Sequence, residues 1–168
     1  MRYLFLMLLI FSSFALAKNQ TVYYEPSLVE LKGVIKDLKF PGPPNYESIK
    51  NGDADETGAY LILNNPIDVI LPSKLKNDSN DNDEPEENVK ILQLAVENDS
   101  DWTKIKKGNY VQLTGTLFHC LTAHHHTRVL LWVEKVKVLS MQKAENIKLD
   151  ISSEDQQFMS HEHLQSST

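Results

Sequence analysis

Five short segments rich in β-branched and aromatic residues, with one helical segment among them, constrain the fold of this chain most strongly. Apolar and polar residues alternate along several of these segments, which is typical of half-buried strands. The segments cover residues 27–35, 59–63, 89–96, 110–118 and 127–133. Three strands, a short helix and two strands follow one another in the same order in an OB barrel. The sequence therefore predicts an all-β fold with one short helix, a small five-stranded antiparallel OB-like Greek-key barrel, with an SH3-like or open barrel as the alternative.

Two local features agree with this order. The helical segment, residues 99–108, begins with residues that can cap a helix and ends at Gly108. Trp102 and Ile105 are three positions apart, so both are expected to face the core. Gly33, inside the first strand, predicts the bulge or sharp bend with which small barrels coil.

Residues 1–17 have the features of a secretory signal peptide. Arg2 provides a positive start, residues 3–11 are apolar, and Ala15 and Ala17 form the small-residue pattern that precedes a cleavage site. The apolar run is too short to indicate a membrane span. We therefore expect a protein that is exported to the periplasm or secreted, without a transmembrane segment once the signal is removed. A retained N-terminal anchor is the alternative.

Cleavage would leave residues 18–168, a length suited to one domain. We expect residues 18–139 to form the barrel and residues 140–168, which contain few apolar anchors, to form a polar and disordered tail, with a frayed helix in it as the alternative. The cleaved chain loses Arg2 and keeps 16 basic and 23 acidic residues, a net charge of −7. Such a chain repels phosphate backbones, so nucleic acid is not an expected partner.

An acidic segment, residues 77–88, has oxygen-bearing side chains at a spacing similar to that of a calcium-binding loop. Asp83 stands where such a loop requires glycine, and Val89 stands where it requires glutamate. We therefore interpret the segment as a solvated acidic loop, which can meet a basic protein.

Cys120 is the only cysteine, so the chain cannot form an internal disulfide. Its thiol can be an apolar filler, a soft metal ligand or an intermolecular link. The sequence favours the first of these.

Four of the six histidines lie where the last two strands meet: His119, His124, His125 and His126. Imidazole nitrogen is a suitable ligand for zinc, copper or nickel. If residues 120–123 form a four-residue hairpin loop, His119 lies opposite His124, and His126 shares their face. These three side chains then form a three-histidine cup with one position open for water or another ligand.

Two other arrangements of the turn remain open. A slip of one residue through a bulge pairs the apolar residues of the two strands better, and it groups His119 with His125 instead. In a purely structural arrangement, the histidines hydrogen-bond backbone groups at the turn and stack on one another.

The segment GTLFHCLTAHHHTRVLL, residues 115–131, resembles a family of exported bacterial proteins of unknown function. A GTLF motif followed by a histidine-rich turn is the hallmark of that family. YEPSLVELKGVI, residues 24–35, and FPGPPNYESI, residues 40–49, are similar to the same family, so the resemblance covers residues 24–137. The resemblance implies export and the extent of the domain, and it supplies no activity. Some members look fused to lysozyme-inhibitor-like modules, which implies interactions in the cell envelope.

These observations lead to two main functional hypotheses, and hydrolysis by water on a three-histidine metal site is a third and less favoured one. The sequence contains no nucleophile elbow, phosphate-binding loop or HExxH pattern, so we expect no enzyme activity. The first hypothesis is a binding module for an envelope protein or a small ligand. OB barrels commonly bind on strands two and three and the adjoining loops, which makes Tyr46, Tyr60 and Ile62 the candidate ligand face. The alternative is transition-metal binding, with Zn, Cu or Ni held by His119, His124 and His126.

Overall fold

A computed structural model of the protein describes residues 18–72, 84–141 and 151–165. The predicted signal peptide and most of the acidic segment lie outside the described residues. The strands are β1 (Gln20–Tyr23), β2 (Leu28–Pro41), β3 (Asp55–Ile70), β4 (Glu86–Val96), β5 (Asn109–His119) and β6 (Val129–Met141). The helices are a single 3-10 turn (Ile49–Asn51), α1 (Asp99–Trp102) and α2 (Ser153–Gln165). No helix in these ranges is long and apolar enough to span a membrane.

Strands β2 to β6 pair in a closed ring, in the order β2–β3–β4–β6–β5 and back to β2. This is the strand order of an OB barrel, with α1 between the third and fourth strands of the ring, so the predicted OB-like fold is confirmed. One pairing in the ring is parallel, that of β4 with β6. The chain passes through α1 and the antiparallel β5 before it enters β6, so β6 runs in the direction of β4.

The first strand of the sheet lies outside the ring. Strand β1 pairs in parallel with the second half of β3, from Gln20 opposite Ile67 to Tyr23 opposite Ile70. The sequence analysis predicted no strand there, because residues 18–26 have a polar composition. β2 pairs with residues 55–63 of β3, and β3 continues beyond them. In this extension β1 takes the place of β2 and pairs with the backbone amide and carbonyl groups that would otherwise lie at a free edge.

The core fills the inside of the ring. Its fully buried members are mainly leucine, isoleucine and valine from every strand of the ring: Ile35, Leu61, Val69, Val89, Leu92, Val111, Leu113, Leu117, Val129 and Leu131. Gly33 is needed there because a Cβ atom on it would lie 2.1 Å from the carbonyl oxygen of Ile62. At Gly33, where a bend was predicted, β2 approaches β3 closely. A register shift between β5 and β6 occurs at a different glycine, between Thr114 and Gly115.

Only one of the two residues predicted to face the core from the helical segment does so. Ile105 is 6% exposed, as expected, whereas Trp102 is 41% exposed. α1 ends at Trp102, and the backbone amides of Lys104 and Ile105 both bond to the carbonyl of Asp101. Because α1 is only one turn long, the spacing of a continuous helix does not apply beyond it.

Part of the segment from residue 140, which the sequence analysis interpreted as a tail, has regular structure. β6 continues to Met141, and α2 begins at Ser153. Ile151 and Met159 pack on a second apolar cluster that lies outside the ring: Phe40, Tyr60, Ile62 and Ile91. The sequence of α2 is mostly polar. It is held by Met159, by Ile151 just before it and by the buried carboxylate of Asp155. Composition alone does not reveal these contacts.

Candidate functional site

The turn between β5 and β6 is longer than the predicted four-residue loop. His119 is paired with Val129, and the amide of Cys120 bonds to the carbonyl of Arg128 at 3.1 Å. The turn therefore spans residues 121–127. Its length moves His124 past the position opposite His119, so the predicted cross-strand pair of histidines does not form.

His119 lies on the side of the turn where β4 begins. Its Nε2 is 3.1 Å from Oε1 of Glu86, and its ring meets the ring of Tyr24 edge-on at 6.4 Å between centroids. The three-histidine cup is therefore not formed, because His119 and the other two predicted ligands have different partners.

The alternative register predicted the pairing of the apolar residues correctly and the pairing of the histidines wrongly. Leu117 is opposite Leu131 and Gly115 is opposite Val133, with a register shift just before Gly115, as the pairing of the apolar residues required. However, His125 does not join His119. Its Nδ1 accepts a hydrogen bond from the amide of Leu121 at 2.9 Å, because the longer turn folds back on itself.

His124 and His126 converge on one carboxylate at the start of β3. Nδ1 of His124 is 2.6 Å from Oε1 of Glu56, and Nε2 of His126 is 3.3 Å from Oε2 of the same residue. The hydroxyl of Tyr46 is 2.9 Å from the other ring nitrogen of His124. We call Tyr46, Glu56, His124 and His126 the Glu56 cluster.

The Glu56 cluster has a buried side and an exposed side. His126 is 3% exposed, and its ring stacks on Phe40 with 4.2 Å between centroids and an interplanar angle of 5°. The side chain of His124 is 54% exposed. A ligand can therefore reach His124, while His126 anchors the turn. In the purely structural alternative, histidines stack on one another, whereas His126 stacks on a phenylalanine.

Gln93 of β4 holds the histidine turn on the barrel. Its side-chain nitrogen donates to the carbonyl of His124 at 2.9 Å, and its side-chain oxygen accepts from the amide of His126 at 2.7 Å. Its own backbone amide donates to the hydroxyl of Thr127 at 3.0 Å. One amide side chain thus supplies partners for two backbone groups that a turn leaves without strand pairing.

Asp53 shapes the long loop that carries Tyr46, residues 42–54. Its carboxylate accepts hydrogen bonds from the backbone amides of Asn45, Glu47 and Ser48 at 2.8–3.0 Å. The amide of Ser48 and those of its neighbours outweigh the effect of burial and lower the pKa of Asp53 below its usual value. One ionised carboxylate therefore orders this loop, which contains only one short 3-10 turn.

The arrangement does not match a metal site. Tyr46 and Glu56 already bond both ring nitrogens of His124. In the described ranges, no three or more histidine, cysteine, aspartate or glutamate side chains are placed to hold a metal ion. The predicted Zn, Cu or Ni site formed by His119, His124 and His126 is therefore not present in this geometry.

Comparison with known proteins finds a family model that is similar to part of this region. A family model described as "Domain of unknown function (DUF4431)" matches residues 91–137. The match is to a domain of unknown function. No curated protein matches the chain, and no solved structure does. The matched domain contains Gln93 and the whole histidine turn, whereas Tyr46 and Glu56 precede it. The expected bacterial origin and the GTLF hallmark remain predictions.

The predicted ligand face is divided by the structure. Tyr46 is partly exposed in the Glu56 cluster. Tyr60 is 0% exposed and Ile62 is 6% exposed, because the segment around Ile151 and Met159 covers them. The last two residues are therefore part of the packing, and their assignment to a ligand face is wrong. The apolar residues on both faces of β4 are a signal in the sequence that could have indicated that this outer face is covered.

A buried ionic network adjoins the site, and the sequence analysis did not identify it. The guanidinium of Arg128 bonds to Glu86, and its Nε and Nη2 bond to Oδ1 of Asp155 at 3.1 and 2.8 Å. Glu86 also bonds to His119. Burial opposes ionisation of Glu86, but His119 and Arg128 outweigh it and lower the pKa of Glu86. Only the fold joins these residues, which lie on β4, on β5, just before β6 and on α2.

Proposed function

We propose that the protein is an exported binding module that recognises a protein partner of the cell envelope. The proposed recognition surface combines loop 42–54 with the histidine turn, residues 121–127. The observation that carries the proposal is the 2.9 Å bond between the hydroxyl of Tyr46 and Nε2 of His124. It joins two irregular segments that lie far apart in the chain into one surface.

The construction of this surface supports the proposal. Asp53 orders the loop through several hydrogen bonds, and Gln93 orders the turn. Binding residues are often found on loops that a rigid scaffold positions, and ordering them in advance lowers the entropy cost of association. A surface of this kind suits recognition better than a flexible loop does.

The face that OB barrels commonly use is not free in this chain. Ile151 and Met159 pack on the outer cluster that contains Tyr60 and Ile62. The loop and turn remain the exposed irregular segments next to that face, with Glu47, Ile49, Leu121 and His124 exposed on them. Polar groups around a few apolar side chains are typical of a protein interface.

Photo-crosslinking in cells that produce the full chain tests the proposal. A photoreactive amino acid is placed at Glu47 or at Ala123, both exposed on the proposed surface. Lys106 is the matched exposed control. It precedes β5 and the histidine turn follows β5, so the two lie at opposite ends of this strand. We expect adducts of the same mass at positions 47 and 123 and none at position 106.

Either of two results would overturn the proposal. One is the absence of an adduct at both surface positions while the three proteins unfold at the same temperature. The other is an adduct of equal yield at Lys106, which indicates nonspecific contact. If a higher salt concentration abolishes the adducts, electrostatic attraction contributes to the recognition, as expected for an acidic chain.

A further inference from the structure

We propose that the outer cluster and the guanidinium of Arg128 form a docking groove for a peptide segment of a partner protein, one that carries a carboxylate beside apolar side chains. α2 occupies this groove as an intramolecular stand-in, which such a segment displaces. The contacts of α2 show what the groove accepts, because an ionic and an apolar contact lie next to each other. None of the groove residues lies in loop 42–54 or in the histidine turn, so the proposal is independent of the function proposed above.

The apolar floor of the groove crosses three neighbouring strands. Phe40 lies on β2, Tyr60 and Ile62 lie on β3, and Ile91 lies on β4. Ile62 and Ile91 are directly opposite each other, and the ring centroids of Phe40 and Tyr60 are 5.7 Å apart. A contiguous apolar patch of this kind, once uncovered, binds another apolar surface or causes aggregation. A segment that displaces α2 must therefore bring its own apolar cover.

A site for a carboxylate adjoins this floor. Lys90 precedes Ile91 on β4, and its backbone amide donates to Oδ2 of Asp155 at 2.7 Å. Nε and Nη2 of Arg128 donate to the other oxygen of Asp155 at 3.1 and 2.8 Å. Asp155 is 1% exposed, so the bound carboxylate is shielded from water. Two donors on one oxygen and a backbone amide on the other specify both the charge and the position of the group that binds.

The barrel orders this carboxylate site without help from α2. Nη1 of Arg128 bonds to the carboxylate of Glu86, and Nη2 also donates to the carbonyl of Glu87 at 3.1 Å. Both acceptors belong to β4. When Asp155 leaves, Glu86 still neutralises the guanidinium and keeps it directed at the groove. A site that is ordered in advance costs less entropy to fill, which favours a second carboxylate in the place of the first.

α2 fills the groove incompletely. Among residues 153–159, whose side chains the structure describes, only Asp155 is buried and only Met159 packs on the outer cluster. Ile151, just before the helix, adds a second apolar contact. A helix that docks on an apolar face usually presents three or four apolar residues in two turns. A segment with more apolar residues beside its carboxylate should therefore bind this groove better than α2 does.

The covalent connection to β6 keeps such a weakly matched helix in place. α2 has 13 residues, a length at which an isolated helix is only marginally stable in water. The tether raises the effective concentration of α2 at the groove, and a free peptide has to compete against it. A partner segment with stronger contacts can therefore replace α2 while the ring stays folded.

Binding of a fluorescent peptide to the full chain tests the proposal. The probe has the sequence of residues 151–165, ISSEDQQFMSHEHLQ, so it carries the groups by which α2 docks. The Asp155→Ala chain, whose own helix is released, should bind it at least about tenfold more tightly than the Glu154→Ala control chain does. An otherwise identical peptide with Asp155→Asn should bind at least about tenfold more weakly, because it lacks the charge that Arg128 recognises.

Three results of this experiment would overturn the proposal: no binding to the Asp155→Ala chain, equal affinity of the two chains, or equal affinity of the two peptides. If Asp155→Ala does not fold, hydrogen exchange of the isotope-labelled wild type replaces it. Saturating unlabelled peptide should then accelerate exchange in α2 and leave the amides of Ile91 and Leu92 protected. Unchanged exchange in α2 would contradict displacement.

The mass of the full chain in solution separates a partner segment from a second copy of this protein. A monomer at the concentrations of the binding experiment is expected, since α2 of the same chain occupies the groove. A wild-type dimer that becomes a monomer on Asp155→Ala would assign the groove to α2 of a second copy, and the proposal would then be wrong.

Discussion

Arg128 and Asp155 are joined by two hydrogen bonds, from Nε at 3.1 Å and from Nη2 at 2.8 Å to the same carboxylate oxygen. The other oxygen of Asp155 accepts the backbone amide of Lys90 at 2.7 Å. Asp155 is 1% exposed. This pair fastens α2 to the barrel at the point where β6 begins, and it therefore controls the cover over Tyr60 and Ile62.

Asp155→Ala should destabilise the protein strongly. The variant removes one of the two carboxylates that neutralise Arg128 and the acceptor of the Lys90 amide, while Glu86 remains. Loss of a partner from a buried ion pair costs up to about 3–5 kcal/mol. Urea denaturation measures this loss, and an apolar dye should bind the uncovered outer cluster. Glu154→Ala is the control on the exposed side of the same turn and should change stability little. An unchanged urea midpoint for Asp155→Ala would show that α2 is not held by this pair.

Gln93→Leu should loosen the histidine turn while the barrel stays folded. The variant loses the two side-chain bonds to the backbone of His124 and His126, each worth about 1 kcal/mol. We expect faster amide hydrogen exchange at residues 121–127 and little change in β2. Gln112→Leu, a partly exposed position on β5, is the control. Equal exchange in both variants would contradict the role assigned to Gln93.

Asp53→Ala should disorder loop 42–54. The backbone amides of Asn45, Glu47 and Ser48 lose their common acceptor, so limited proteolysis should cut within the loop. Because the folded-state pKa of Asp53 is lowered, its contribution is present above the ordinary aspartate pKa and is lost as the pH falls through the lowered value. Wild-type protein should therefore become sensitive in this loop in acid. Glu47→Ala, which leaves these backbone bonds in place, should remain resistant.

Gly33→Ala should destabilise the barrel. A Cβ atom at this position would lie 2.1 Å from the carbonyl oxygen of Ile62, so β2 and β3 must separate where they pair. Overpacking of this kind typically costs about 1–3 kcal/mol or more. Thermal unfolding should show a clear decrease in midpoint for Gly33→Ala and almost none for the exposed neighbour Lys32→Ala. Equal midpoints would mean that the close approach is not required.

The stabilising effect of His119 should depend on pH in a defined direction. Its pKa is raised to about 10 in the folded protein, above the ordinary histidine value, so folding favours the protonated ring. The stabilisation is complete below about pH 6.5 and decreases as the pH rises towards 10. The difference in unfolding free energy between wild type and His119→Gln should therefore shrink steadily over this range. A constant difference would mean that His119 acts by packing alone.

The strands of the ring were predictable because a half-buried strand has to alternate apolar and polar residues. β4 shows both what this rule detects and what it misses. Val89, Leu92 and Leu94 face the inner core, while Ile91 faces the outer cluster under α2. Its two apolar faces agree with a sheet that is covered on the outside as well as the inside. They did not reveal that the covering element is the polar C-terminal helix.

The histidine site was predicted at the right place in the chain with the wrong partners. Four histidines at one turn indicated a dense polar site, but the turn spans residues 121–127, beyond the four-residue loop assumed for the cup. The partners that matter, Glu56, Tyr46 and Gln93, lie on other strands and loops. Periodicity along one hairpin does not contain information about those distant segments.

The sequence by itself determined the order of the strands in the ring and most positions of the inner core, because burial of alternate side chains is a local pattern. Only the tertiary structure decided which carboxylate meets which imidazole. His119 bonds to Glu86, whereas His124 and His126 bond to Glu56. Ionic and hydrogen-bonded partners depend on the distance between strands that the closed ring brings together. Those distances follow from register, turn length and the docking of α2, which no single segment specifies.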